Sequence, residues 1–247
     1  MHHPSLTNRF SAAAGLAAAV AAILTVGSAA AAEAPAAPGV TALQCGHLID
    51  TAAGKMLGAT TVVIEAGHVK EVLSGLQAPS GATTIDLKTQ TCMPGLIDSH
   101  THITGQTSRT EYVDKYHWNL ADYVIRSTIY ARRTLLAGFT TIRNLGDTEN
   151  ESAALRNAIN AGVVPGPRIF TAGKAIGSTG GHADPFDGYR QDLSKDLGPE
   201  NGIINSPEDA VKAVRQHYKL GDDVIKIMPS GGVLDEGASG ENPQMTL

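Results

Sequence analysis

The stretch Pro94-Gly95-Leu96-Ile97-Asp98-Ser99-His100-Thr101-His102 decides how this chain is read. Met93 to Asp98 is a short, nearly continuous apolar run that ends in polar residues, as in a strand covered on both faces. His100 and His102 are two residues apart. In an extended segment alternate side chains project the same way, so the two imidazoles converge at the carboxyl end of that strand. In α/β folds that end is where ligands sit. Paired imidazoles suit a borderline-soft divalent ion such as zinc. A His-x-His pair alone also fits structural histidines. Its placement at a strand end, with Asp98 adjacent, favours the metal. Whether Asp98 orients an imidazole or only ends the strand stays open at this level.

Downstream, Val224-Ile225-Lys226-Ile227-Met228 sets a lysine in the middle of an apolar strand-like run. A buried ammonium is costly unless its charge is paired or removed. A solvent-facing edge lysine is one reading. A desolvated, neutral amine is the other. Such an amine can add carbon dioxide and become an anionic carbamate able to bridge two metal ions, although spacing alone does not show that step.

Between these two points the periodicity alternates. Trp118 to Leu136 repeats apolar residues at three- and four-residue steps and is expected to be helical. Thr140 to Leu145 reads as a strand. Glu151 to Ala161 reads as a helix whose start, Thr148 to Glu151, resembles a capping box. Arg168 to Ala172 is the next strand. Ser206-Pro207 opens a helix to about Lys219, with Ser206 as cap and Pro207 in the first turn. Asp223 to Met228 then makes a fourth strand. The order β-α-β-α-β-loop-α-β implies a parallel sheet covered by helices. It is either an open four-stranded domain or the first half of an eight-stranded barrel. Before it, Ala42–Ile49, Thr60–Glu65, Val69–Val72 and Thr83–Leu87 read as hairpin-length strands of a small β-domain.

Composition narrows the function classes. Nineteen Lys+Arg against 24 Asp+Glu give a net charge of -5 over 247 residues. That balance excludes a basic nucleic-acid-binding face. Arg9 followed by the apolar run from Ala12 to Val26 and small residues to Ala32 has the form of an export signal, too short for a comfortable membrane span. The mature chain keeps Cys45 and Cys92. Cys92 opens an apolar run and is expected to be a buried free thiol, with Cys45 similar. The Gly-rich loop Gly177 to Gly181 lacks the Gly-Lys-Ser/Thr ending of a phosphate loop. His47, His68, His117 and His217 have no paired spacing and default to surface or structural roles. Arg143, inside a strand, is a candidate internal partner of Asp147.

Four ordered segments resemble one family. PGLIDSHTH resembles the metal-binding signature of the amidohydrolase superfamily. GFTTIRNLGD (138–147) and GPRIFTAGKAIGSTGGH (166–182) resemble the second and third barrel strands of its imidazolonepropionase-like and prolidase-like branches. DDVIKIMPSGG (222–232) resembles the strand carrying the metal-bridging lysine. The resemblance covers the chain from about residue 42 onward.

With the export signal over 1–32, it implies a small β-sandwich portion over 33–91 and the first four units of a (β/α)8 barrel over 92–247. It also implies a binuclear metallohydrolase acting on a peptide-like or carboxamide C–N bond of a small substrate, in the manner of dipeptidases and carboxypeptidases. Relatives of this type also cleave amide-linked aromatic amino-acid conjugates such as mycotoxins. The implied cofactors are two divalent ions, zinc foremost, and carbon dioxide as a lysine carbamate. His100 and His102 map onto first-strand metal ligands and Lys226 onto the carboxylated bridging lysine. His182 maps onto a pocket histidine that contacts the substrate or its carbonyl. The family's nucleophile is a metal-bound hydroxide, and its remaining histidine ligands and catalytic aspartate come from later strands. The chain therefore reads as the N-terminal portion of a longer exported enzyme, with little amidase activity alone. Its oligomeric state is open. The competing class is a non-catalytic exported metal-binding or scaffold domain.

Overall fold

The computed structural model describes residues 39–232 and 241–245, and the export segment lies outside them. The chain divides into two compact units. One holds the residues up to 47 with 58–90, the other 48–57 with 91 onward.

The leading strands are β1 (Thr41–Asp50), β2 (Lys55–Leu57), β3 (Thr60–Glu65), β4 (His68–Ser74) and β5 (Thr83–Cys92). They form one five-stranded sheet in the order β2-β1-β3-β4, with β5 also on β1. The β1–β2, β1–β3 and β3–β4 pairs are antiparallel. The β-branched run of β3 explains its central place: Thr60, Thr61, Val62 and Val63 are all buried. A sandwich was expected here. Among the described residues these strands make a single sheet, and no second sheet layer accompanies them.

Neither cysteine is a free thiol, which corrects the sequence expectation: both are disulfide-bonded. Cys45 lies on β1 and Cys92 ends β5, two strands that pair. That pairing is long-range, and local hydrophobicity around Cys92 carries no trace of it.

The parallel sheet runs β6 (Leu96–Thr101), β7 (Phe139–Asn144), β8 (Arg168–Thr171), with both neighbouring pairs parallel. The crossovers include a short helical turn, α1 (Glu111–Asp114), then α2 (Leu120–Leu136) and α3 (Glu151–Asn160). Ile103, Ala131, Ile142, Leu155 and Ile169 bury against one another as the core between sheet and helices, with Tyr130, Phe139, Ile159 and Val164 packed on it. After β8 a long loop leads to α4 (Pro207–Leu220). Ser206 caps that helix as expected, its hydroxyl accepting from Asp209 N at 3.1 Å.

The start of α3 differs in detail from a simple capping box. Glu151 accepts from Thr148 N at 3.1 Å and Glu149 N at 2.8 Å, while Asp147 accepts from Asn150 N and Ser152 N at 3.0 Å. Two carboxylates thus satisfy the donors of this turn.

The expected fourth strand is only partly formed. Residues 223–228 run beside β8 and the chain after it, with Asp223 N bonded to Thr171 O at 2.8 Å. Farther along, Ile176 N donates to Lys226 O and Met228 N donates to Ile176 O, both at 2.8 Å, making one parallel bridge, Ile176–Ile227. The intervening stretch 172–175 does not keep the ladder continuous. The alternation predicted for a strand nevertheless survives: Val224, Lys226 and Met228 are half-buried, whereas Ile225 and Ile227 are exposed.

His217 fits its structural default. It is buried on α4, and its Nδ1 lies 2.7 Å from Asp222 Oδ2.

Candidate metal centre and its cavity

β6 carries Asp98 and His100, and His102 follows one residue past its end, with the register against β7 shifting between Asp98 and Thr101. The imidazoles of His100 and His102 lie with centroids 5.5 Å apart and planes tilted by 57°. Asp98 turns its carboxylate back on the strand, accepting from His100 N at 3.0 Å. It fixes the backbone of the first histidine.

The second histidine is oriented from β7. His102 Nδ1 lies 3.1 Å from the Gly146 carbonyl. A carbonyl only accepts, so Nδ1 carries the hydrogen and the Nε2 lone pair of the neutral ring is left for a ligand. Gly146 has φ +150°, and a Cβ there would stand 3.2 Å from His102 Cε1. The fully buried Asn144 braces both ends of this contact. Its Oδ1 accepts from Ile103 N at 2.7 Å, and its Nδ2 donates to Gly146 O at 3.2 Å. The sequence reading passed over Asn144, because nothing local distinguishes it from a strand-end polar residue.

The His100 pKa is lowered by partial desolvation first, then by the charges of Lys226, His102 and Arg143, with Asp98 opposing. The neutral imidazole is the form that binds metal. Lys226 is thus close enough to His100 for its charge to be felt there. Arg143 does not pair with Asp147 as expected: its Nε donates to Ser99 O at 2.7 Å. Asp147 is committed to the α3 turn.

His102 opens into a cavity of about 660 Å³, whose lining includes neither His100 nor Lys226. His102, Asp147, Glu151, Lys174, His182 and Met228 are among its lining residues. His182 is exposed on the loop after β8, and its backbone N donates to Gln244 Oε1 at 2.8 Å. Gly232 packs against its ring so closely that a Cβ would stand 2.2 Å from Cε1. Residues on β6, on the post-β8 loop and on the 223–228 segment therefore meet at one end of the parallel sheet. Among the described residues no group of three or more His, Cys, Asp or Glu gathers as a metal cluster. The donors present fit a metal at the level of two imidazoles, one of them already oriented.

Residues 91–247 match the family model described as "Amidohydrolase family". The chain belongs to the amidohydrolase family. Ochratoxinase from Aspergillus niger is 32% identical over 157 residues, 58% of this chain and 32% of that protein. A dihydroorotase from Geobacter metallireducens is 41% identical over 61 residues, 25% of this chain and 14% of that one. The crystal structure of a Xaa-Pro dipeptidase with methionine bound in its active site superposes with TM-score 0.74 at 36% identity. It covers 84% of this chain and 51% of that one. The crystal structure of Aspergillus niger ochratoxinase gives TM-score 0.67 at 26% identity, over 85% of this chain and 51% of that one. This amidohydrolase-family chain thus spans about half the length of those solved relatives and about a third of the curated ochratoxinase.

Proposed function

We propose that the protein is a metal-dependent hydrolase that cleaves a peptide-like or carboxamide C–N bond in a small substrate. The observation that carries this reading is the His100–His102 pair, 5.5 Å apart, at the strand end of an amidohydrolase-family sheet. Similarity to a Xaa-Pro dipeptidase and to ochratoxinase supports an amide substrate of dipeptidase or carboxypeptidase type.

In this reading His100 and His102 would hold a divalent ion, zinc foremost, and Lys226 as a carbamate would contribute an anionic oxygen ligand to a pair of such ions. A divalent ion supplies Lewis acidity and a water whose pKa is lowered to about 7. The chain's own residues do the rest. The Gly146 carbonyl keeps His102 Nε2 pointed at its ligand, with Asn144 holding that carbonyl. Lys226 as an ammonium would repel a cation bound beside His100. If its neutral amine nitrogen attacks carbon dioxide and then loses a proton, the result is a carbamate anion, and the local charge reverses sign. His182, which lines the cavity together with Met228 and Tyr123, would contact the substrate or its carbonyl. Those apolar neighbours limit water around the scissile bond.

The reading includes export. The Arg9 and Ala12–Val26 signal motivates it, and a disulfide suits an oxidising compartment. Among the described residues no helix is long and apolar enough to cross a membrane. N-terminal sequencing from a producing cell tests export: the expected first residue is near Glu33, and retained Met1 in a cytoplasmic product overturns it.

The hydrolase reading is tested on the full-length enzyme by metal bound per chain and by turnover of a dipeptide panel, for wild type, H100A, H102A and K226A. Loss of metal and of turnover together in the variants is expected, with partial recovery of K226A by added acetate. Tight stoichiometric metal with no turnover on any amide would instead make the protein a metal-binding domain.

A further inference from the structure

The charged groups lining the cavity can be taken one at a time. Asp147 accepts from Asn150 N and Ser152 N. Glu151 accepts from Thr148 N and Glu149 N. Glu149 pairs with Lys174 at 3.2 Å. His102 is bonded to the Gly146 carbonyl. Lys195 also lines the cavity, and among the described residues no carboxylate lies within ion-pair distance of its ammonium. The Phe186 ring faces that ammonium, 5.9 Å from Nζ to centroid. The lining therefore offers a ligand one lysine that is not already committed to a carboxylate, set beside an aromatic face.

That aromatic face is held in place. Phe186 meets Tyr189 edge-on, with centroids 5.7 Å apart and planes at 89°. Tyr189 in turn takes the Lys115 ammonium over its ring at 4.6 Å and hydrogen-bonds it through its hydroxyl. Lys115 sits 3.9 Å from the centroid of Tyr112 as well. This chain of cation–π and edge contacts ties the loop after β8 to the segment after β6. The wall carrying Phe186 is thereby braced from a second element.

We propose that Lys195 and Phe186 form the subsite for the carboxyl-terminal residue of the substrate, the lysine taking its free α-carboxylate and the ring its apolar or aromatic side chain. An ammonium donates to a carboxylate as a charge-assisted hydrogen bond. Being exposed, Lys195 contributes modestly and is screened by salt. The ring supplies the apolar contact that makes the preference one of side chain as well as charge. The substrate class is then an N-acyl amino acid or dipeptide with a free carboxylate and an apolar carboxyl-terminal residue. The assignment rests on the hydrolase reading for the word substrate, but binding itself needs no turnover.

The probes are N-acetyl-L-phenylalanine and N-acetyl-L-phenylalaninamide, titrated by equilibrium binding against the full chain as wild type, K195M, K195R and F186A. Wild type is expected to favour the acid, and raised salt should narrow the difference. K195M should weaken the acid about fivefold to tenfold and leave the amide unchanged, bringing the two together. K195R should keep most of the preference. F186A should weaken both probes by similar factors. Equal binding of acid and amide by wild type overturns the proposal, as does K195M weakening both alike. If wild type binds the acid through Lys195 yet hydrolyses no amide, the subsite stands and the hydrolase reading fails. If wild type hydrolyses dipeptides and K195M leaves their KM unchanged, the subsite fails and the hydrolase reading stands.

Discussion

The strand-borne and loop-borne sides of the cavity are built differently. His100 projects from β6 and His102 from just past its end, and His102 is fixed through Gly146 by a fully buried asparagine on β7. Phe186 and Lys195 project from a long connection and are fixed by ring contacts among exposed and half-buried side chains. Strands give positions that a packed core enforces to a fraction of an ångström, which metal coordination demands. Loops give positions that are cheaper to change, which suits selection among substrates. In the proposed reading the strand side carries the chemistry and the loop side the selectivity.

The largest expected effect lies on the strand side. H102A or K226A should remove metal and lower dipeptide turnover by orders of magnitude, while the far-UV circular dichroism stays near wild type. Intact metal content and turnover in either variant would break the comparison at its strongest point. A second, smaller effect sharpens it. Asn144→Ala leaves Ile103 N without its acceptor and frees the Gly146 carbonyl. It should cost about 1–3 kcal/mol of stability, read by urea denaturation. It should also weaken metal affinity about 10–100-fold by loosening His102. A stability loss with unchanged metal affinity would make Asn144 purely structural.

Smaller again is Ser206→Ala, away from the site. Loss of the α4 cap should cost about 1 kcal/mol in the same urea experiment and leave turnover unchanged. The smallest effect is a pH slope. Burial, with Asp147 nearby, raises the Glu151 pKa above its ordinary 4.5, against the backbone hydrogen bonds that lower it. A carboxyl with a raised pKa in the folded state holds its proton where the unfolded chain has lost it. Wild-type stability relative to E151Q should therefore fall as pH rises from 4.5 through the folded-state pKa, then stay level. Urea midpoints of the two proteins that keep a constant difference across that range would show Glu151 to be unperturbed.

Much of the parallel unit is legible in the sequence. The runs at 96–101, 139–144 and 168–171 are strands, the 120–136 and 151–160 repeats are helices, and Ser206-Pro207 starts a helix. Each carries a periodic or capping signal of its own. The fourth strand shows the limit. Its alternation is correct at Lys226, but its hydrogen-bond partner is an irregular stretch after β8, and pattern alone cannot report a broken ladder. The Arg143–Asp147 pairing fails for a related reason: two nearby opposite charges looked complementary, yet backbone acceptors and donors claimed each of them first.

By itself the sequence determined the strand-end histidine pair, the face on which Lys226 lies and the order of the β/α units. These are local consequences of a two-residue period in strands and a 3.6-residue period in helices. Only the tertiary structure decided the single sheet of the leading strands, the disulfide-bonded state of both cysteines, Asn144 as the brace behind His102, and Lys195 as the lysine of the cavity lining that pairs with no carboxylate among the described residues. Those depend on which distant backbone and side-chain groups satisfy one another, and burial requires that each polar group be satisfied by whatever the fold brings near.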